Sequence, residues 1–434
     1  MTNKFSSLIS HPSSQRTILH LDMDSYFASI EQRDISVYKG KPLLVTHGWH
    51  PNRNLGIVMA ASYEARPFGI KAGTPIFQAK KLCPKANYVK GNFEKYLHNT
   101  RKIVGISRNY SDLVEVYSID ELFLDITNSS HLFGSPVNLA KRFFDEIKDK
   151  LGLSCSIGIG PNKLVAKMAG EFNKPRGITY ISADELPEAF APLPAKDLLG
   201  VGYRMKKHLR ALGIETVGQL QNLSPEYLKK RWGVMGVVLH NASLGIDNSP
   251  LIPSHQGPGP KSFGHSSALG AKGIKDLDVV KKVLLGLTEG VCRRMRSDNY
   301  LAKTITLRMG LAGLMYFSRA RSLANATDIT SKIYKTALDL MDGQEELARQ
   351  HGVSLIAISA GNLKKASDGR QLDIFGNERL SDIDKAVDRV KNRYGEKAII
   401  KASLLGFNKR YQGASKVEIA EVSKGHSSFC NRWV

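Results

Sequence analysis

Cysteine is scarce in this chain. Four occur, Cys83, Cys155, Cys292 and Cys430, and no two form a Cys-x-x-Cys pair. Neither a zinc module nor a disulfide framework is therefore indicated. Long apolar runs are missing too, and nothing approaches the ~18 residues that span a bilayer, so no membrane span is expected. Met1 to Arg16 is polar and Ser-rich, without the apolar core of a signal peptide. A reducing, cytoplasmic compartment is the expectation. No segment repeats at a fixed period. Gly158-Ile159-Gly160-Pro161-Asn162-Lys163 lacks the Gly-Lys-Ser/Thr of a Walker A loop and reads as a tight turn into a helix. The last shortage is acidic: 40 Asp and Glu face 62 Lys and Arg, a formal net charge of +22. Such an imbalance favours a polyanionic partner, nucleic acid or an acidic membrane face.

What is present is ordinary for a folded protein: 42% hydrophobic and 8% aromatic residues over 434 positions, enough for two to four domains. Thr17 to Leu21 reads as a buried strand ending in Asp22-Met23-Asp24, with a helix from Tyr26 to Asp34 that Asp24 or Ser25 would cap. Strands are predicted at Lys41–Thr46 and Gly56–Ala60, and helices near Pro75–Leu82 and Phe93–Ser107. Leu113 to Ile126 reads as strand, tight turn at Ile119 and Asp120, strand; Val137–Lys150 is an amphipathic helix, Ser154–Ile159 a strand and Asn162–Phe172 a helix. Short helices with Gly-containing turns fill Pro187 to Gly245, and the Pro/Gly-rich Leu251 to Pro260 reads as a linker. Beyond it come a helix at Leu277–Met295, strands at Thr304–Met309, Met315–Leu323 and Ser354–Ser359, a mobile polar stretch at Lys364–Arg370, a helix at Leu380–Tyr394 and a basic tail.

Three acidic residues stand at the ends of these patterns. Asp22 closes a hydrophobic strand, while Asp120 and Glu121 occupy the tip of a hydrophobic hairpin. Carboxylates at strand ends of one sheet can converge however far apart they are in sequence. Two or three with open coordination positions suit Mg²⁺, which takes oxygen ligands and keeps water and phosphate as the others. A pair of ions ~3.5–4 Å apart activates an attacking oxygen and stabilises a leaving one. A plainer role also fits, with Asp22 capping a helix and Asp120 filling a turn. Phosphate-binding residues support the first reading: Tyr63-Glu64-Ala65-Arg66 follows a strand and Lys174 follows a helix. A hydroxyl donor, a bidentate fork and a point charge are what a triphosphate requires. In Leu198 to Leu212, Gly200 and Gly202 open a helix carrying Arg204, Lys206 and Lys207, a helix-hairpin-helix signature for DNA-backbone contact. An ordinary packing corner is its other reading.

Together these residues resemble the Y-family of translesion DNA polymerases. LDMDSYFASIE from Leu21 is similar to the family's first catalytic motif and YSIDELFLDI from Tyr117 to its second. ASYEARPFGIKAG resembles the finger segment, GIGPNKLVAKMAGEFNKPRGI the palm segment and LLGVGYRMKKHLRALGI the thumb, a match running from about Thr17 to Ile358. The resemblance implies an α+β, multidomain right-hand polymerase. Its palm would occupy 1–25 and 92–182, fingers 26–91, a helical thumb 183–250, a linker 251–261, a small α+β little finger 262–362 and a C-terminal extension 363–434. Asp22, Asp120 and Glu121 become ligands of two Mg²⁺ ions, for which Mn²⁺ could substitute, with the backbone carbonyl of Met23 as a further ligand. Tyr63, Arg66 and Lys174 would hold the deoxynucleoside triphosphate. Phe27 falls at the steric-gate position, where an aromatic ring leaves no room for a 2′-hydroxyl. Gly200, Gly202, Arg204, Lys206, Lys261, Arg308, Arg319 and Arg321 would contact DNA, with alternation placing Arg319 and Arg321 on one strand face. Such contacts are salt-sensitive and carry little sequence preference.

Pro67 after Arg66 departs from the family pattern and predicts a shifted helix start, and the chain continues beyond the usual little finger. In that extension Gln371-Leu372-Asp373-Ile374-Phe375 resembles the bacterial sliding-clamp binding peptide: Leu372, Ile374 and Phe375 would fill an apolar cleft and Gln371 would hydrogen-bond. Packing against its own domain is the alternative. The implied activity is template-directed attack of a primer 3′-hydroxyl on an α-phosphate, without proofreading and with low fidelity. Primer-template DNA, deoxynucleoside triphosphates, the clamp and SOS accessory subunits are the implied partners, and the nucleoid the implied location. A catalytically inactive relative, a nucleotide cyclase and a plain nucleic-acid-binding protein are the rivals. The intact acidic trio argues against the first and third, and the helix-hairpin-helix and basic C-terminal half against the second.

Overall fold

The computed structural model describes residues 16–47, 56–253, 256–257, 259–270, 272–313, 316–368, 378–395 and 397–404. The strands in chain order are β1 (Ile18–Met23), β2 (Leu43–His47), β3 (Ile57–Ala61), β4 (Asn87–Lys90), β5 (Val114–Val116), β6 (Glu121–Asp125), β7 (Cys155–Gly160), β8 (Ile178–Tyr180), β9 (Ser262–Ala268), β10 (Tyr300–Leu311), β11 (Tyr316–Thr327) and β12 (Val353–Lys365). They form three sheets, ordered β5-β6-β1-β7-β8, β3-β2-β4 and β11-β10-β12-β9.

Alternation along β1 separates two faces. Leu19, Leu21 and Met23 join Leu122, Leu124, Cys155, Ile157 and Ile159 in a buried core under the helices Phe93–Ser107 and Pro136–Leu151. The second helix is well specified: Ser135 accepts from the Asn138 N–H, Pro136 opens the first turn, Gly152 closes it at φ 62°, and Leu139, Phe143, Ile147 and Leu151 make the inward stripe. Ile18, His20 and Asp22 point the other way, with Glu121 and Phe123 of β6. On that face the helix Lys163–Phe172 lies against β7 at very short range. A Cβ on Gly158 would stand 2.0 Å from the Ala166 carbonyl oxygen, so the glycine is what lets the helix approach.

The β3-β2-β4 sheet has its own small core of Leu44, Val58, Ala65, Ile70 and Ala79. Short helices between Tyr203 and Ser243 pack around Leu209, Val217, Leu220, Leu228 and Leu239. The last sheet is antiparallel throughout, with Ile305, Leu307, Met309, Ile356 and Ile358 buried under the helices Leu277–Ser297 and Thr330–Met341. The helix Glu378–Tyr394 joins this unit through Arg296, which bonds Asp384 and Asp388. Mixed helix and sheet, with a separate sheet-rich C-terminal unit, is the α+β architecture expected. Among the described residues no helix is long and apolar enough to cross a membrane.

Several local expectations are corrected. Gly158 and Gly160 belong to β7 rather than to a turn, and Asn162 caps the next helix by accepting from the Val165 N–H at 2.9 Å. Neither Asp24 nor Ser25 caps the Tyr26–Asp34 helix by its side chain; Ser25 takes the cap position with φ 46°. Around Pro67 the chain forms a 3₁₀ turn, Tyr63–Phe68, because proline cannot donate to a continuing helix. The first linker residues are pinned rather than free. Leu251 is buried with Ile18, Phe123 and Ala166, and the Ile252 N–H donates to Glu115 at 2.9 Å. Lys364 and Lys365 continue β12 instead of starting a mobile stretch, held by pairing to Leu301 and Tyr300. β4, β8, β9 and the helices Thr330–Met341 and Glu345–His351 are absent from the sequence reading, although Ile333, Ala337 and Leu340 recur at helical spacing in the first of these helices.

Candidate active site

Antiparallel pairing of β1 with β6 sets Asp22 directly opposite Glu121, and the Met23 N–H donates to the Asp120 carbonyl at 3.0 Å. The hairpin tip thus brings Asp120 and Glu121 to the end of the strand that carries Asp22. Two lysines answer these charges. Lys174 Nζ lies 3.1 Å from Asp22 Oδ2 and also pairs with Glu171, and Lys167 Nζ lies 2.6 Å from Glu121 Oε1. Asp120 accepts from the Ser118 hydroxyl at 2.5 Å.

Burial and crowding shape the titration here. The Asp22 carboxyl is pushed up to about 7, by burial first; Lys174 pulls it down, and Glu121 and Asp120 push it further up. Burial, then the neighbouring Glu121, also raise Asp120 against the Ser118 hydrogen bond. Burial disfavours the Lys174 ammonium, but Asp22 and Glu171 outweigh it and raise its pKa above the ordinary lysine value. Half-buried carboxylates that repel one another and lean on lysines are stabilised by a cation. Their oxygens are the donors a hard dication takes, so the residues present fit Mg²⁺.

Tyr63 and Arg66 stand beside this cluster. The Tyr63 hydroxyl donates to Asp24 Oδ1 at 3.2 Å, the Arg66 guanidinium stacks 4.0 Å over the Tyr63 ring, and Arg66 donates to Ser25 Oγ at 2.8 Å. Burial, then Asp24, push the Tyr63 phenol up to about 12. Asp24 is an anchor rather than a ligand candidate, since it also accepts from Ser156 Oγ at 2.8 Å and the Arg176 N–H at 3.1 Å. Phe27 is half-buried, stacked on Tyr96 with centroids 4.4 Å apart and edge-on to Phe93.

The remaining candidates lie away from the carboxylates. Gly200 adopts φ 96° and Gly202 precedes the helix Tyr203–Ala211, on which Arg204 and Lys206 are exposed. Lys261 is exposed just before β9. Arg308 is exposed on β10 opposite Ser318, whereas Arg319 and Arg321 pair with Leu307 and Ile305, whose side chains face the core. Paired residues share a face, so Arg319 and Arg321 lie on the side away from Arg308. There Arg319 donates to the Asp342 carbonyl at 3.1 Å and Arg321 meets Asp339 at 2.7 Å. Gln371 to Phe375 lies outside the described residues.

Sequence reasoning missed Lys167, Asp24 and His20. Lys167 carries no local signal, but His20 sits two residues before Asp22, and strand alternation alone puts it on the same face. It is buried without a hydrogen-bond partner at either ring nitrogen, and burial, then Lys167 and Lys174, hold its pKa well below the ordinary value.

Family models match three stretches: the impB/mucB/samB family at residues 21–171, its C-terminal domain at 260–374, and a DNA polymerase-iota thumb domain at 196–247. The chain is 38% identical over 405 residues to a DNA polymerase IV of Moorella thermoacetica, covering 93% of this chain and 100% of that protein. A DNA polymerase IV 2 of Bacillus subtilis is 34% identical, covering 93% of this chain and 98% of the relative. Among solved structures, a Y-family DNA polymerase chimera of Dbh and Dpo4 superposes with TM-score 0.69 at 27% identity, covering 80% of this chain and 98% of the other. DinB from Sulfolobus solfataricus gives 0.53 at 26% identity, with the same coverage of 80% and 98%.

Proposed function

The chain belongs to the impB/mucB/samB family of Y-family DNA polymerases, and on that premise we propose two-metal nucleotidyl transfer at Asp22, Asp120 and Glu121. It is a DNA-directed DNA polymerase, using a DNA template and deoxynucleoside triphosphates, of the translesion kind. The observation that carries the site is the crowding of Asp22 against Glu121 across β1 and β6, with Asp120 at the tip. When bound, two Mg²⁺ ions would polarise the primer 3′-hydroxyl and neutralise charge on the leaving pyrophosphate. The three carboxylates hold the cations and position them by the rigidity of the sheet. Lys174, released from Asp22, is free to turn its ammonium to a phosphate oxygen. Arg66 offers a fork to a second phosphate and Tyr63 a hydroxyl, both held ready by their contact with each other. Phe27, braced by Tyr96, closes the space a 2′-hydroxyl would need.

We assign the palm to 1–25 and 92–182, the fingers to 26–91, the thumb to 183–250 and the little finger to 262–362, joined by 251–261. The open face of the last sheet supports DNA tracking. Thr304, Thr306, Arg308, Ser318, Ser322, Ser359, Gly264 and Ser266 share it by register, a low surface of hydroxyls that a sugar-phosphate backbone can approach closely. Gly200, Gly202, Arg204 and Lys206 suit a backbone phosphate on the thumb. Synthesis without proofreading belongs to this reading through the family alone. We read Gln371–Phe375 as a sliding-clamp peptide in the extension 363–434; Leu372→Ala with Phe375→Ala should abolish capture on immobilised clamp. SOS accessory subunits and nucleoid association belong to this reading through the family alone.

The test is primer extension with Mg²⁺ across a series of defined template lesions. Bypass should vanish in Asp120→Asn and in Glu121→Gln while gel-shift affinity for primer-template DNA stays within about twofold. Extension retained in both variants would remove the assignment.

A further inference from the structure

One side chain at the carboxylate cluster has no part in the chemistry above. His20 lies on β1 two residues before Asp22, on the same face, and is fully buried. Its ring packs against Phe123 with centroids 4.7 Å apart, yet neither nitrogen meets a hydrogen-bond partner. An imidazole presents one N–H and one lone pair when neutral, and a buried polar group with neither matched is rare. A leucine would fill this space against Phe123 without that cost. Gly170 keeps the overlying helix off the ring, since a Cβ there would come 3.3 Å from Nδ1.

The orphaned group is also aimed at a site. One ring nitrogen of His20, one carboxylate oxygen of Asp22 and one of Glu121 all lie within 4.8 Å of one another. Donors on opposite sides of a cation at ~2.1 Å are ~4.2 Å apart. Rotation of the Asp22 and Glu121 carboxyls, once Lys174 and Lys167 release them, is enough to close the difference. Nitrogen in such a set changes its selectivity. Mg²⁺ takes oxygen ligands and binds imidazole poorly, whereas first-row transition dications take both.

We propose that His20 is a nitrogen ligand to the divalent cation held between Asp22 and Glu121, and that it biases the site toward Mn²⁺ over Mg²⁺. This rests on the carboxylate site proposed above and adds a donor to it. The residue acts on the metal, not on the nucleotide, so the test does not need turnover.

The experiment is Mn²⁺ titration of the metal-free full chain by electron paramagnetic resonance, with electron spin-echo modulation on the bound ion. Wild-type protein should show a nitrogen modulation that changes pattern when histidine is labelled with ¹⁵N. His20→Leu should lose that modulation and bind Mn²⁺ about tenfold more weakly, with Mg²⁺ affinity within about twofold of wild type. Labelling reports on the unaltered chain, so a misfolded variant does not blunt the test. Mn²⁺ bound with no histidine modulation in the wild type would overturn the proposal, as would undiminished modulation and affinity in His20→Leu. The paired variant Asp22→Asn with Glu121→Gln separates the two readings. If it binds Mn²⁺ as wild type does, the carboxylate site fails and this inference with it; if it alone loses the ion while His20→Leu does not, only the histidine is wrong.

Discussion

Both the β5-β6-β1-β7-β8 sheet and the β11-β10-β12-β9 sheet bury one face under two helices; the other face of the first carries the helix Lys163–Phe172 beside its polar residues, and that of the second stays open. What they turn outward differs. The first gathers Asp22, Glu121, Lys167 and Lys174 at one end, with His20 beneath them, in partly buried ion pairs. The second spreads threonine, serine and glycine evenly, with Arg308 as the main charge among them. Crowding raises the energy of the carboxylates until a cation relieves it, which is what a reaction centre needs. Even, shallow hydroxyls store no such energy and let a backbone slide past. One sheet concentrates electrostatic free energy, and the other keeps it low.

The comparison is broken most severely by removing a carboxylate. Asp22→Asn is expected to lower primer extension about a thousandfold, with DNA affinity in a gel shift nearly unchanged. A comparable loss of binding would mean that the two sheets do not divide chemistry from contact. Next in size, Phe27→Ala should reduce the preference for deoxy- over ribonucleotides about a hundredfold, measured as a ratio of kcat/KM values. An unchanged ratio would take Phe27 out of the gate.

Acidification should act on the first sheet alone. Asp22 has its pKa raised from an unfolded value of 3.8 to about 7. In the metal-free protein its contribution favours the fold at low pH and is lost as pH rises through about 7. A cation needs the ionised form, so Mg²⁺ affinity by calorimetry should fall about tenfold from pH 8 to pH 6, and Mg²⁺ should raise Tm more at pH 8. Equal affinity at the two pH values would show that the carboxyl is not held up by burial.

The smallest effects sharpen the second sheet. Arg308→Ala should weaken primer-template binding about threefold and reduce the salt slope by about 1. Arg321→Ala, whose side chain is tied to Asp339 on the other face, should change binding by less than about twofold. The reverse order would put DNA on the helix side of the β11-β10-β12-β9 sheet.

Much of this was legible along the chain. Apolar alternation in TILHL and in LVEVYSIDELFLDI announced β1, β5 and β6, and Asp22, Asp120 and Glu121 stood at strand ends before any sheet was known. The amphipathic spacing of Val137–Lys150 marked a helix by a pattern that is local. These features need only neighbours within a few residues, so sequence determines them. Which residues face each other across strands is not local. The Asp22–Glu121 register, the Lys167 ion pair to Glu121, the pinning of Leu251 beside Phe123 and the split of Arg308 from Arg319 and Arg321 all depend on pairing and packing between distant segments. A one-residue slip in any ladder would reverse those faces without altering local propensity. The acidic trio was therefore written in the sequence, and its crowding into one cluster, Asp22 opposite Glu121 with Asp120 at the tip, was decided by the sheet that closes around it.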